Sequence, residues 1–244
     1  MASIKKAIKD LFKPDVIKFG IHARSISQWA LASLRKQNII MLELKDDLIM
    51  EYRGCRFKVD VVTCIPVLTV YDEYRFDRIR KGDVVLDIGA QIGAFAIPAS
   101  KIAERVYAVE PIFIDELGEN TELNNTEDKV ICLNYGIGKS NRDAKLEYRG
   151  VIKDCQLIKF KELRNKVEKF DKVDFLKIDC EGSEWSIEPE DLKGIRTIEA
   201  ELHTFNLWHI INVRKWERWL KKNNYEYELI RMDSTRYMLH AELR

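Results

Sequence analysis

The segment Phe175-Leu176-Lys177-Ile178-Asp179-Cys180-Glu181-Gly182-Ser183-Glu184 ends an apolar run in one acid and sets a second acid beside a glycine. Its start, Val173–Ile178, reads as a buried strand. Asp179 then falls at the strand's C-terminal edge, where ligands bind in open α/β sheets. A further apolar run, Ile195–Leu202, leads to Glu201 and His203. Strand side chains alternate, so these two share one face. Asp179, Glu181, Glu201 and His203 are therefore expected to converge at one sheet edge. A hydroxyl nucleophile must lose its proton, and a histidine or carboxylate in reach can take it. His203 or Asp179 is the candidate base, with Glu181 and Glu201 orienting the substrate or each other. The competing reading makes Asp179 a capping acid and His203 a packed, satisfied side chain. Carboxylates can also ligate Mg²⁺, but no Asp-Asn pair is present and no metal is expected. Cys180 has no nearby base or resolving cysteine in the sequence, and reads as packing rather than as a nucleophile.

The residues that would hold a ligand beside this edge lie earlier. Val84-Val85-Leu86-Asp87-Ile88-Gly89-Ala90-Gln91-Ile92-Gly93-Ala94-Phe95 reads as a buried strand, a glycine-bearing turn and the start of a helix over 93–103. Pro98 should shorten or kink that helix. The glycines let the backbone approach a ligand, and the helix N-terminus directs unpaired N–H groups at the same crevice. Val106–Val109 is a second strand, ending at Glu110-Pro111. Glu110 follows Gly89 by 21 residues, the spacing that brings a second-strand acid beside the first loop of a βαβ unit. A carboxylate there can accept both hydroxyl hydrogens of a ribose.

A dinucleotide site expects G-x-G-x-x-G, but Gln91 stands at the second glycine position and Asp87 precedes the first. A pyrophosphate has no need of Asp87, whereas a ligand with an ammonium group does. The pattern suits S-adenosyl-L-methionine better than NAD. Asp87, Gly89, Ala90, Gln91, Gly93, Glu110, Pro111 and Asp179 are the expected cofactor residues. Asn134, Tyr135 and Gly136 fall where a third strand's loop would frame the adenine. The plain alternative is a glycine-containing βα turn without a ligand.

On the segments VVLDIGAQIGAF, VYAVEP, FLKIDCEGSE and IEAELH, the chain resembles class I S-adenosylmethionine-dependent methyltransferases, and among them the FkbM family. That family carries similar D-I-G-A-N-x-G, E-P, K-I-D-x-E-G-x-E and E-x-H segments in the same order. The resemblance spans about residues 70–205 and departs at Gln91, where the family usually has Asn. The first two segments are shared by many methyltransferases; the K-I-D-x-E-G-x-E segment is far more specific. The resemblance implies a Rossmann-like, mostly parallel seven-stranded sheet and methylation of a hydroxyl on a small molecule or sugar.

The 244 residues suffice for one large domain with a small appendage. Lys plus Arg is 41 against 40 for Asp plus Glu, so the charge is near neutral and bulk nucleic-acid binding is not expected. No apolar run reaches the roughly 18–20 residues of a membrane span, and Met1–Pro14 has no signal-peptide core. Five cysteines without a CxxC pair fit reduced thiols and a cytoplasmic location.

Along the chain, residues 1–13 and 21–36 read as amphipathic helices, the first a candidate surface for homo-oligomer formation. Residues 39–63 read as an antiparallel meander with Arg53-Gly54 as one turn. The expected division is an accessory region, 1–65, and a methyltransferase domain, 66–244. Further helices are expected from Pro66 to about Ile79, over 114–124, over 161–169 and over 213–223, with Tyr71 and Tyr74 lying over the pocket. Residues 144–160 read as an insertion of two short strands. Residues 225–231 and 236–243 close the sheet with one antiparallel strand. Competing functions are an NAD(P)-dependent oxidoreductase, opposed by the glycine pattern and the lack of a Tyr-x-x-x-Lys pair, and a catalytically silent nucleotide-binding module. A nucleic-acid methyltransferase is opposed by the absence of an Asp/Asn-Pro-Pro-aromatic segment and of a Pro-Cys pair.

Overall fold

The computed structural model describes residues 40–44, 47–59, 63–148, 150–168 and 170–244. The helices expected over 1–13 and 21–36, and with them the proposed oligomer surface, lie outside the described residues.

Strands β1 (Ile40–Leu44), β2 (Asp47–Tyr52) and β3 (Cys55–Val59) form the antiparallel meander. Arg53 and Gly54 both take positive φ, 49° and 72°, the conformation of a two-residue turn whose twist matches the strands it joins. Helix α1 (Cys64–Glu73) stops at Tyr74, which is extended, and a 3₁₀ turn at Phe76–Arg78 replaces the expected last turns.

The central sheet uses β4 (Val84–Ile88), β5 (Arg105–Val109), β6 (Val130–Leu133), β10 (Val173–Ile178), β11 (Thr197–His203), β12 (Tyr225–Arg231) and β13 (Arg236–Leu243). Their spatial order is β12-β13-β11-β10-β4-β5-β6, and only β13 runs antiparallel to its neighbours. The seven-stranded, mostly parallel sheet expected from the sequence is therefore present. The chain winds outward from β4 in both directions, making the β4–β10 edge the switch point where such sheets bind ligands. Helices α2 (Ala96–Ser100), α3 (Ile114–Leu123) and α4 (Leu207–Lys222) cover the faces. The short strand β7 (Gly136–Ile137) pairs with the hairpin β8 (Arg142–Tyr148) and β9 (Val151–Ile158).

Three further elements differ from expectation. The helix over 93–103 shrinks to the five residues of α2, with Pro98 at its centre and every side chain buried. The segment after Phe160 forms 3₁₀ turns, Phe160–Asn165, rather than an α-helix. Helix α4 begins six residues early, because the Asn206 side chain accepts from the His209 N–H at 3.1 Å and caps it. Its first turns escape an apolar-periodicity reading because Leu207, Trp208, Ile210 and Ile211 point outward.

The sheet has an apolar core on each side. Val85, Val106, Ala108 and Phe175 pack with Phe95, Ile97, α1 and the meander. Leu86, Ile88, Leu176 and Ile178 pack with Trp216, Trp219 and Leu220 of α4. Alternation places one buried charged row through the first layer. Asp87 registers with Lys177, Lys177 with Glu199, and Glu199 with His240, so acidic side chains alternate with a lysine and a histidine across four strands. All four side chains are buried. Lys177 Nζ lies 3.1 Å from Asp87 Oδ1, and His240 Nδ1 bonds Glu199. Burying Asp87 or Lys177 without the other would be strongly unfavourable.

Candidate active site

A cleft of about 690 Å³ opens at the C-terminal ends of β4, β5, β10 and β11. Gly89, Ala90, Gln91, Glu110, Pro111, Tyr135, Gly136, Asp179, Glu181, Glu201 and His203 all line it. Asp87, Gly93 and Asn134, expected with them from the sequence, do not.

Gly89 is required by the fold itself. Its φ is +78°, and a Cβ there would lie 1.7 Å from the Asp179 carbonyl oxygen. The β4 and β10 loops therefore touch backbone to backbone. The Gly89 and Ala90 N–H groups donate to Val109 O at 2.9 and 3.1 Å, and Gly93 N–H donates to Ala90 O. These N–H groups tie the loop to the end of β5 and to itself instead of facing a ligand. Gly93 packs against Ile97 and Leu117. Asn134 is exposed.

Asp87 is the main positional correction. Neither of its oxygens has accessible surface, and neither accepts an aligned hydrogen bond. Strand alternation sends its side chain into the sheet layer, where it faces Lys177. The Lys177 ammonium donates to Gly89 O at 2.8 Å and lies 3.9 Å from Asp179 Oδ2. Burial alone would lower the Lys177 pKa, but Asp87 and Asp179 raise it instead. Asp87 thus acts on the loop through Lys177. In the sequence that lysine shows only as a charge in mid-strand, with nothing to mark its partner.

Glu110 accepts from Ile112 and Phe113 N–H through Oε1, at 2.7 and 3.1 Å, and from Gln91 N–H through Oε2 at 2.8 Å. Burial raises its pKa, and these three bonds oppose the rise. Oε2 keeps free acceptor capacity toward the cleft. Gln91 holds a positive φ of 48°, costly for a residue other than Gly or Asn, and its buried Oε1 has no hydrogen-bond partner. A ribose hydroxyl at Glu110 and a ligand donor at Gln91 would fill these capacities, so the residues present fit S-adenosylmethionine.

The other end of the cleft is an ion-pair cluster. The wholly buried Glu184, which its sequence position does not single out, accepts from His203 N–H at 2.6 Å and Gly182 N–H at 2.7 Å, and lies 3.2 Å from His203 Nδ1. His203 Nε2 lies 3.4 Å from Glu181 and 3.9 Å from Glu201. Glu201 also pairs with Arg236 at 2.6 Å, and Tyr74 donates its hydroxyl to Asp179 at 3.0 Å. Burial would lower the His203 pKa, but Glu184, Glu181 and Glu201 outweigh it and lift the value to about 9. Burial, helped by Asp179, lifts Glu201 to about 7. The raised value favours the protonated form of His203, whereas Glu201 titrates where a base is useful. Asp179, Glu181 and His203 bring ligand atoms within 4.8 Å of one another. Burial pushes the Cys180 thiol well up, which suits packing rather than attack.

Comparison with known proteins gives the class. The TRM5/TYW2 methyltransferase domain model matches residues 48–161. A tRNA (guanine(37)-N(1))-methyltransferase of Leishmania major is 35% identical over 82 residues, 30% of this chain and 11% of that protein. The chain thus spans about a tenth of the length of that curated relative. Among solved structures, Trm5b from Pyrococcus abyssi aligns with a TM-score of 0.51 and 17% identity, covering 82% of this chain and 56% of that one. A complex of aTrm5 with tRNALeu aligns with a TM-score of 0.51 and 19% identity, covering 83% and 54%. At these identities the solved structures establish the fold. The matched family is TRM5/TYW2 rather than FkbM, so the class expected from the sequence stands and the finer family does not. The expectation that no nucleic acid is involved is overturned, since the relative methylates tRNA and a solved neighbour holds one. No helix among the described residues is long and apolar enough to cross a membrane. The chain has the fold of the class I, S-adenosylmethionine-dependent methyltransferases.

Proposed function

We propose that this protein transfers a methyl group from S-adenosylmethionine to a nucleobase of RNA, with a tRNA guanine as the leading acceptor. The match of residues 48–161 to the TRM5/TYW2 domain carries this reading. That span includes β3 and nearly all of β2, the Gly89–Gly93 loop, Glu110 and the β8–β9 hairpin. Gln91, Glu110 and the Tyr135–Gly136 loop would hold the cofactor, which supplies an electrophilic methyl group on a sulfonium. The remaining work is alignment and proton removal. A guanine N1–H must give up its proton as the nitrogen is methylated. Glu201, which titrates near neutrality, would accept it, with Arg236 and His203 stabilising its charged form. Tyr74 fixes Asp179 beside it. Residues 1–65 and 66–244 serve in this reading as accessory region and catalytic domain.

A second reading, transfer to a hydroxyl of a small molecule or sugar, has one observation in its favour. Asp179, Glu181, Glu201 and His203 all lie outside residues 48–161, so the match does not extend to the acceptor end. One assay separates the two. Protein is incubated with methyl-tritiated S-adenosylmethionine and total tRNA, and the RNA is digested to nucleosides. The RNA reading expects label in a methylated guanosine. Label only in nuclease-resistant small molecules from a cell extract would overturn it.

A further inference from the structure

We propose that the exposed face of α4 is the docking surface for the RNA strand that presents the acceptor base, an inference that rests on the RNA reading above. Leu207, Trp208, Ile210 and Ile211 stand out from the first turns of α4, with Trp208 73% exposed and Leu207 70%. A cluster of large apolar side chains in water marks a contact site. The chain holds it rigidly: Asn206 caps the helix, and Phe205 N–H donates to His209 Nδ1 at 3.2 Å.

The patch is continuous with the cleft. Phe205, 57% exposed, lines the cleft mouth, with its ring 5.5 Å from that of His203 and 6.0 Å from that of His209. His209 in turn stacks on Trp185. An aromatic path therefore runs from the charged cluster to the start of α4.

Charge selects the occupant. Over Leu207–Lys222 the helix has five Lys or Arg against one Glu, although the whole chain is near neutral. Leu207, Ile210, Ile211, Arg214, Arg218 and Lys221 follow helical spacing along one stripe, apolar in its first turns and cationic in its last. Lys215 is taken by Glu188. Arg214, Arg218 and Lys222 have no acidic partner among the described residues. The helix is roughly 24 Å long at about 1.5 Å per residue, enough to follow several phosphates. Unpaired bases stack on aromatic side chains while cations track the backbone, the combination that single-stranded RNA requires.

The test is fluorescence anisotropy with a fluorescein-labelled RNA hairpin carrying an unpaired guanine-containing loop. Trp208→Ala should weaken binding about tenfold or more, and Trp208→Phe should restore most of it. Arg214→Glu with Arg218→Glu should weaken binding and flatten the slope of log K against log salt by about 0.7 for each phosphate no longer neutralised. All variants should keep wild-type affinity for S-adenosylhomocysteine. Variants that bind the hairpin like wild type, while wild type still methylates tRNA, would overturn the surface and leave the RNA reading standing. Wild type that neither binds the hairpin nor methylates tRNA would overturn both. Trp208-dependent binding to phosphatidylserine vesicles, with hairpin binding unaffected by the substitutions, would assign the face to a membrane and overturn the proposal.

Discussion

The three carboxylates around the His203 imidazole outweigh its burial and lift its pKa to about 9. His203 should titrate near pH 9 by NMR of its ring protons, and a value near 6.5 would remove the cluster's electrostatic account. The linkage follows from the sign. His203 has a folded-state pKa above its ordinary value, so its contribution is complete below about pH 6.5 and is lost as pH rises toward 9. Glu201 has its carboxyl raised to about 7, so the folded state holds an extra proton between about 4.5 and 7, and stability falls across that window too. The melting temperature should decline from about pH 4.5 to 9, and His203→Gln should flatten the upper half of that curve. A base at Glu201 predicts turnover that rises through about pH 7. Glu201→Gln should lose at least about a hundredfold in turnover with cofactor affinity nearly kept. Unchanged turnover would exclude Glu201 as the base.

At the scale of elements, the loops after β4 and β10 are positioned by contacts that leave no slack. Gly89→Ala places a methyl group against the Asp179 carbonyl in a backbone conformation disfavoured for any Cβ. We expect a large fall in melting temperature and loss of cofactor binding, measured by calorimetry; a variant that folds and binds normally would contradict the geometry. Lys177→Met leaves Asp87 buried without a cation and should cost about 3–5 kcal/mol in chemical denaturation. What the sequence disclosed follows the same physics. β10, β12 and β13 were readable to the residue because uninterrupted apolar runs or alternation end at turn residues. The convergence of Asp179, Glu181, Glu201 and His203 was readable from strand-end position and alternation. The protonation states were not, since they depend on Glu184 and on burial, which spacing does not encode. Nor was the inward turn of Asp87, because its partner Lys177 lies 90 residues later in the chain. The early start of α4 was hidden by outward-facing apolar side chains that belong to no core.

Taken whole, the molecule divides its work along the sheet edge. The β4 and β5 ends offer Gln91 and Glu110 as acceptors with unused capacity, while the β10 and β11 ends gather the charged groups that can move a proton. Near-neutral net charge conceals a basic, aromatic face on α4, which composition averages away. Everything proposed depends on the cleft being a cofactor site. Titration calorimetry of the whole protein with S-adenosylhomocysteine tests this most directly. One molecule should bind per chain, with affinity falling about ten- to a hundredfold in Glu110→Ala while the fold is retained. Absence of binding, or an affinity untouched by Glu110→Ala, would contradict it.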